Sequence, residues 1–375
     1  MSTLKSAGRF AFIVTMLAGL TVPVDHALAQ GEAAVPFLII APNARSSGFG
    51  ETGTGSVDDV SAVFWNPGQL AFLDGQEVSL THANWLPAFG LSDLFYDHLN
   101  FRMRIDDIGG TVSASVTYLN LGEFIVTGEE GPEEKGRFKS FEYAITAGYS
   151  TKAFSDLGIG LNLRFIHSSL SPIGTASEQG TGVASTFSVD LATMWRPEKM
   201  DMGFLGEWGN RFSLGANLSN LGPKITYIDA AQADPLPTML RVGFGYKFLS
   251  DEYNSLTGML DFSRLLVKRN EDGTSESLPG SMVSAWEDNG LKKVIVSTGL
   301  EYWYGAPRLI ALRIGYFYEN PNFGNREFLT FGAGIRYDIY GFDFSYISAG
   351  QDHPLSDTIR FSLLIAWGGV ETTPK

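Results

Sequence analysis

The strongest constraint in this sequence is a repeated alternation of apolar and smaller or polar residues with a period of two. In residues 358–367, for example, Ile359, Phe361 and Leu363 alternate with polar or smaller side chains. Such alternation is typical of a β-strand with one apolar face, because successive side chains point to opposite sides. About fourteen such stretches, separated by clusters of turn-forming residues, occur near residues 76–85, 94–104, 109–119, 138–151, 155–167, 183–196, 210–219, 238–248, 256–264, 292–303, 309–318, 326–337, 340–347 and 356–367. The sequence therefore predicts an all-β fold.

We expect these strands to form an antiparallel transmembrane β-barrel of the outer-membrane type. No apolar run is long enough for a spanning helix, whereas an even number of strands of about ten residues can close without leaving an unpaired edge in lipid. Aromatic residues at the strand ends fit the girdles of such barrels, and they are Trp85, Trp195, Tyr302, Trp303, Tyr304, Tyr337, Tyr340 and Trp367. A soluble β-sandwich, with its apolar faces turned inward, is the alternative.

The strand faces opposite the apolar ones carry charged residues that a barrel would pair in its lumen. This predicted luminal charge network consists of Arg164, Arg241, Asp261, Glu301, Arg313, Arg336, Asp343 and Arg360. We expect the network to fill the barrel interior, because unpaired buried charges are costly, and a ligand path is the alternative interpretation. The same register predicts that an arginine at the outward Leu363 blocks assembly and that one at the inward Ser362 is milder.

The first 29 residues have the three parts of a secretory signal peptide. Lys5 and Arg9 precede an apolar core, and Ala27 and Ala29 provide the small residues for cleavage before Gln30. The apolar core is too short for a membrane anchor, so we expect an exported protein. The formal net charge of −14 disfavours nucleic-acid partners, and the lack of cysteine excludes thiol catalysis and disulfides.

Residues 30–75 do not follow the strand pattern, and we interpret them as a small plug for the barrel of residues 76–368, which a tail of residues 369–375 follows. The predicted plug turn is Trp65-Asn66-Pro67-Gly68, where Pro precedes Gly as in a type II turn. Such a turn needs a positive φ, which Gly68 would supply. Residues 48–53 match GxGxxG, but without a strand–helix–strand context we interpret them as a flexible turn of the plug.

The connections between the predicted strands differ in length, and this difference predicts their orientation. Outer-membrane barrels have long extracellular loops and short periplasmic turns. We therefore assign to the outside the polar connections 129–135, 174–182, 227–237 and 268–290. Two of them contain apolar residues that are candidate partner contacts, namely Leu236, Pro237, Leu278, Pro279, Met282, Val283 and Trp286. Folding of these residues back onto the barrel rim is the alternative.

Several motifs carry a resemblance that extends over the whole mature chain. They are VPFLIIAPNAR at 35–45, FWNPGQLAF at 64–72, NLGP at 220–223, DFSR at 261–264, EYWY at 301–304, RIGY at 313–316 and HPLSDT at 353–358. These motifs resemble the PorV/PorQ family, whose PorV branch, also called LptO, belongs to the type IX secretion system. The Trp-Asn-Pro element is also similar to the plug signature of the wider FadL superfamily of transporters.

The resemblance implies a fourteen-stranded barrel with an N-terminal plug in the outer membrane of a Gram-negative, Bacteroidota-like lineage. It also implies a shuttle that binds the C-terminal signal domain of secreted cargo. The implied partners are the type IX translocon barrel (SprA/Sov-like), the attachment complex with its PorU-like sortase, the cargo C-terminal domains and outer-membrane lipid.

Two other functions stay open: a FadL-type outer-membrane transporter of hydrophobic small molecules, and an LptO-type lipid deacylase. A transporter needs a continuous apolar pocket between plug and wall, whereas a shuttle needs a charged, blocked lumen and exposed apolar patches on its loops. The sequence has no GxSxG motif and no recognisable triad order, and its histidines lack metal-binding spacing. We therefore expect no enzyme, no catalytic residue, no metal and no cofactor.

Overall fold

The computed structural model describes residues 33–368 except 88–89, 91–92, 129–130, 173–180, 229–231, 271–272, 288 and 351–352. Over these residues fourteen antiparallel strands pair in sequence order, and the last pairs with the first to close a barrel. The prediction of a fourteen-stranded barrel is thus confirmed. The predicted signal peptide with Ala27, Ala29 and Gln30 and the tail of residues 369–375 lie outside the described residues.

The strands follow one another around the wall. They are β1 (Gln76–Asn84), β2 (Phe95–Ile105), β3 (Gly110–Gly128), β4 (Gly131–Phe154), β5 (Leu157–Ser171), β6 (Gly182–Trp195), β7 (Phe212–Leu221), β8 (Met239–Ser250), β9 (Asn254–Leu265), β10 (Ile295–Tyr304), β11 (Ile310–Tyr318), β12 (Glu327–Tyr337), β13 (Tyr340–Ala349) and β14 (Ile359–Trp367). Among the described residues, no helix is long and apolar enough to cross a membrane.

Side chains alternate between the two faces of the wall. In β14, Phe361 and Leu363 point outward and are 44% and 58% exposed, whereas Arg360 and Ser362 point inward and are buried. The same alternation in β11 leaves Leu312 59% exposed and buries Arg313. The outer surface is therefore an apolar belt of the kind that a bilayer covers.

The two ends of the barrel differ. One end has mostly short connections, at 106–109, 155–156, 251–253, 305–309 and 338–339, and the other end has the connections 85–94, 172–181, 222–238, 266–294, 319–326 and 350–358. The rule for outer-membrane barrels places the second end outside the cell. One long connection, residues 196–211, also lies at the first end, where the rule expects short turns.

In one predicted extracellular connection, 129–135, the described residues 131–135 belong to a strand, and 129–130 lie outside the described residues. β3 has its last β2 partner at Asn120, yet its pairing with β4 continues to the pair Gly128–Gly131. The two strands thus form a hairpin that extends past their neighbours, and Phe124 and Phe138 stack across it with ring centroids 5.6 Å apart. Such cross-strand aromatic pairs stabilise a hairpin, which explains why the polar segment does not form a loop.

Residues 33–75 lie inside the barrel as four short helical segments. Two are 3₁₀ turns, Pro36–Ile39 and Pro67–Phe72, and two are single-turn α-helices, α1 (Ala44–Ser47) and α2 (Ala62–Trp65). Helices this short do not form alone, so their structure depends on contacts with the wall. Phe37 and its neighbours pack at the extracellular end, whereas the Pro67–Phe72 turn packs against β4, β5 and β6.

Candidate functional site: the filled lumen and its extracellular mouth

A buried ion-pair network joins the plug to the wall. Arg45 of α1 donates from Nε and Nη2 to the Glu301 carboxylate over 2.8 and 2.6 Å. Arg313 donates to the same carboxylate over 2.6 Å and to Asp343 over 2.8 Å, and Asp343 also binds Arg336 at 2.7 Å. The structure thus brings four members of the predicted luminal network together around one plug arginine.

The plug contributes acidic residues as well. Arg45 Nη1 lies 2.7 Å from an Asp58 oxygen and 2.8 Å from an Asp59 oxygen, and Arg308 binds Asp58 at 2.8 Å. Burial alone raises the pKa of Asp58, but Arg45 and Arg308 outweigh this effect and hold the pKa well below its usual value. The network therefore contains four arginines and four carboxylates, so its charges balance.

Trp303 lies at the centre of these four arginines. Their guanidinium carbons are 5.2–5.9 Å from its ring centroid, a distance typical of cation–π contacts. The prediction that Trp303 belongs to the membrane girdle is wrong, because its position in β10 points inward and leaves it 3% exposed. The sequence analysis also missed Arg45, Asp58, Asp59 and Arg308. A signal for the missing acidic residues was present in the sequence: the predicted network had five arginines but only three carboxylates, so its charges did not balance.

A second cluster surrounds Arg164. Its Nη2 lies 2.6 Å from Asp190 Oδ2, and its Nε donates to the Thr146 hydroxyl over 3.2 Å. Asp190 also accepts from the backbone N–H of Asn220 over 2.8 Å, and the Asn220 side chain contacts Arg164. Asp190 is another carboxylate absent from the predicted set.

Arg241 and Asp261 hold the plug in different ways. The Arg241 guanidinium lies over the rings of Phe64 and Trp65, 5.2 and 5.7 Å from their centroids. Asp261 accepts from the backbone N–H groups of Gly53 and Thr54 over 2.9 and 2.8 Å, through the same oxygen. Both wall residues therefore bind the plug directly.

The predicted plug turn is buried, but its geometry differs from the expectation. Asn66 accepts from Gly68 N over 3.0 Å and donates to the carbonyls of Thr54 and Thr193 over 3.0 and 2.9 Å. Gly68 does not have a positive φ, because Pro67 begins a 3₁₀ turn rather than a type II turn. Trp65 donates from its indole nitrogen to the Asn43 side chain over 3.1 Å.

Glycines on the wall allow the plug backbone to approach closely. A Cβ at Gly160 would lie 2.5 Å from Gly68 N, and one at Gly315 would overlap the backbone nitrogen of Gly50. The interpretation of residues 48–53 as a flexible turn is wrong, since these residues are packed against the wall and mostly buried. Gly50 has a φ of +78°, a backbone conformation that residues with a side chain rarely adopt.

The extracellular mouth, in contrast, contains a cavity of about 1330 Å³ between the start of the plug and the outer loops. Arg360 lines it and is 1% exposed, with its Nη2 3.5 Å from Glu51 Oε1. Within the described part of the chain, Arg360 Nε and Nη1 have no hydrogen-bond partner. Apolar residues line most of the remaining wall, among them Phe37, Trp85, Leu119, Leu121, Phe328 and Leu355.

The candidate partner contacts separate into two groups. Leu236 and Pro237 are buried, and Leu236 packs against the start of the plug, so the expectation that they are surface contacts is wrong. The connection between β7 and β8 turns inward. Ile225 pairs with Asp234, and Ile225 and Leu236 pack in the same apolar cluster as Phe37 of the plug.

The other group lies on the connection between β9 and β10, around the short helix α3 (Gly280–Ser284). Val283 is 74% and Trp286 41% exposed, Pro279 is exposed, and Leu278 and Met282 are half-buried. Leu291, which the sequence analysis did not select, is 82% exposed. We define Val283, Trp286 and Leu291 as the outer apolar patch.

A closed barrel with an apolar outer belt and an N-terminal plug in its lumen defines the class: an outer-membrane barrel of the plugged type. The family model described as type IX secretion system protein PorV matches residues 27–272. The chain therefore belongs to the PorV family, which confirms the resemblance found in the sequence.

Solved structures support the fold. The toluene transporter TodX of P. putida superposes with a TM-score of 0.53 at 14% identity, over 87% of this chain and 99% of TodX. A FadL homologue of Pseudomonas aeruginosa superposes with a TM-score of 0.50 at 12% identity, over 87% of this chain and 98% of its own. At such identities the likeness shows the fold alone. The sequence matches no curated protein.

Proposed function

We propose that the protein is a non-enzymatic, PorV-like shuttle of the type IX secretion system. It binds the C-terminal signal domain of secreted cargo outside the membrane and passes the cargo from the translocon barrel to the attachment complex. Its membership of the PorV family supports the secretion system, and the distribution of its apolar surface supports action by protein contact.

The observation that carries the proposal is the outer apolar patch. Val283 and Leu291 are 74% and 82% exposed on the connection between β9 and β10, which the rule for outer-membrane barrels places outside the cell. Exposed apolar residues next to tryptophan are favoured anchors for protein partners. The lumen behind them is filled by the plug and paired charges, which suits a shuttle better than a channel.

A FadL-type transporter of hydrophobic small molecules is the second candidate, and the mouth cavity is the observation that favours it. Its apolar lining resembles a ligand pocket. Passage beyond the cavity, however, would require the plug to leave the wall, and this would separate Arg45 from Glu301. Because that buried pair is costly to break, we prefer the shuttle.

The double variant Val283→Asp/Leu291→Asp tests the proposal in cells of the native host. We expect normal barrel assembly, since both side chains are exposed, but accumulation of unprocessed cargo in the periplasm. Phe204→Asp is the matched control, because Phe204 is 88% exposed at the opposite end of the barrel. Normal secretion by the double variant, together with reduced uptake of a long-chain fatty acid or hydrocarbon, would favour the transporter instead.

A further inference from the structure

An apolar groove lies on the outer face of the wall, where β4 to β8 pass side by side. Its volume of about 420 Å³ is within the roughly 300–1000 Å³ of small-ligand pockets. Thr193 of β6 and its cross-strand partner Ala216 of β7 are small and form part of its floor. Longer side chains flank them, among them Leu161, Leu191 and Leu218. Leu161 and Leu191 are 42% and 49% exposed, so the groove is a depression in the outer belt.

The same part of the wall carries the plug turn on its inner face. A Cβ at Gly160 of β5 would lie 2.5 Å from Gly68 N, and one at Gly215 of β7 would lie 2.5 Å from Asn66 Nδ2. The Asn66 side chain also donates to the Thr193 carbonyl of β6 over 2.9 Å. The groove and the plug turn therefore lie on opposite faces of the same three strands.

An aromatic cluster bounds the groove toward the end that the rule for outer-membrane barrels places in the periplasm. Trp195 and Phe212 follow the groove floor on the outward faces of β6 and β7, with ring centroids 6.1 Å apart. Trp208 packs against Phe212 and Tyr246 at 5.6 and 5.0 Å, so the connection 196–211 folds back onto the outer wall. Tryptophan and tyrosine favour the boundary between lipid tails and head groups. The groove thus ends at the head-group level of the periplasmic leaflet.

We infer that the groove binds one acyl chain of a phospholipid from the periplasmic leaflet, with the head group beside the aromatic cluster. The side chains that line it are apolar except Tyr149, Thr151 and Thr193, and the Tyr149 hydroxyl already donates to the Ile108 carbonyl over 2.8 Å. A peptide or a sugar in the groove would leave most of its polar groups without hydrogen bonds, whereas an acyl chain has none to satisfy. The bound chain supports the three strands that hold the plug turn. This lipid site is independent of the proposed function.

Native mass spectrometry of the purified protein, released from detergent micelles, tests the inference. We expect one phospholipid to stay bound at a collision energy that removes the detergent and the remaining lipid. Ala216→Leu fills the groove and should reduce the lipid-bound fraction at least about tenfold. Ala333→Leu adds the same side chain to the outward face of β12, where Ala333 is exposed, and is the matched control that should keep the lipid. If Ala216→Leu does not assemble, Thr193→Leu fills the groove from β6 and replaces it.

Support of the plug gives a second measurement. Palmitoyl-oleoyl-phosphatidylethanolamine, added to the delipidated wild-type protein at ten times its Kd, should slow proteolysis of residues 33–75 about tenfold, because a ligand that binds only the folded wall stabilises it. The same addition should have no effect on Ala216→Leu. Unchanged proteolysis of the lipid-bound wild-type protein would contradict the link between groove and plug.

Three results would overturn the lipid site itself. They are a wild-type protein without bound lipid, equal lipid retention by Ala216→Leu and Ala333→Leu, and an adduct with the mass of a free fatty acid or of lipopolysaccharide. In cells, a benzophenone side chain at Thr193 should crosslink to lipid, and capture of a protein there would identify a contact with a membrane partner instead. The secretion phenotype of Val283→Asp/Leu291→Asp does not enter these measurements, so the proposed function is tested separately.

Discussion

Arg45 and Arg360 are both buried inside the same barrel, but their surroundings differ. Each nitrogen of the Arg45 guanidinium donates to a carboxylate of Asp59 or Glu301 at 2.6–2.8 Å. Arg360 has one carboxylate at 3.5 Å and two unpartnered nitrogens among the described residues, beside a large cavity. The difference separates a part of the lumen where the plug is fixed to the wall by paired charges from a part where the pairing is incomplete.

The largest effect should follow from breaking the filled region. Glu301→Gln leaves Arg45 and Arg313 without a full counter-charge, which should destabilise the barrel by about 3–5 kcal/mol. The expected readouts are a lower temperature for loss of heat-modifiable gel migration and faster proteolysis of residues 33–75. Glu252→Gln, which changes an exposed residue of a short turn, is the control and should leave both unchanged. Wild-type protease resistance in Glu301→Gln would mean that the network does not hold the plug.

A second change tests whether an arginine is tolerated because of its partners. Leu363→Arg places an arginine on the outer belt, where it has no carboxylate partner. It should cost about 2–4 kcal/mol of stability and be seen as failed assembly in outer-membrane fractions. Leu291→Arg, outside the belt, should assemble normally. The structure changes the expectation for Ser362→Arg: Ser362 accepts from Ala44 N over 3.0 Å, so we now expect this variant to disturb the plug as well. Normal assembly of Leu363→Arg would remove the proposed register.

Close packing of the plug predicts a smaller effect. Gly160→Val should destabilise by about 1–3 kcal/mol, because its side chain would overlap the backbone of Pro67 and Gly68. Thermal unfolding followed by gel migration measures this loss. Gly131→Val, where an added Cβ meets nothing within 4 Å, is the matched control. Equal stability of the two variants would show that the plug is not packed against β5.

The smallest effect is expected at the mouth. Arg360→Gln removes a charge that has only one distant ion pair, so we expect a change of less than about 1 kcal/mol in the same unfolding measurement. The difference between the losses of stability in Arg360→Gln and Glu301→Gln then measures the contrast between the two regions. A loss as large as that of Glu301→Gln would show that Arg360 also holds the structure together.

The barrel was predictable because its signal is repeated. The side chains of each strand alternate with a period of two, so the wrong assignment of one strand does not change the predicted fold. The plug was less predictable because its conformation is set by the wall: a Cβ at Gly68 would lie 3.1 Å from the backbone of Thr193 and Met194 in β6, so this close approach, rather than a positive φ, explains the glycine. Likewise Asp58 and Arg45 are 13 positions apart and reveal no pairing until α1 and α2 are placed.

The candidate site was the least predictable part. The sequence identified apolar residues in polar loops, but it could not distinguish Leu236, which folds under its own connection, from Val283, which stays exposed. Arg360 was predicted as one member of a paired network. Its distance from other carboxylates depends on the position of the plug, which no local pattern reports.

Photo-crosslinking in intact cells tests the central claim most directly, namely that the protein acts through its extracellular end. A benzophenone side chain introduced at Val283 and, separately, at Phe204 would sample exposed positions at opposite ends of the barrel. We predict that Val283 crosslinks to secreted cargo or to the translocon and that Phe204 does not. Absence of a protein crosslink at Val283, with the same partners captured at Phe204, would contradict the account.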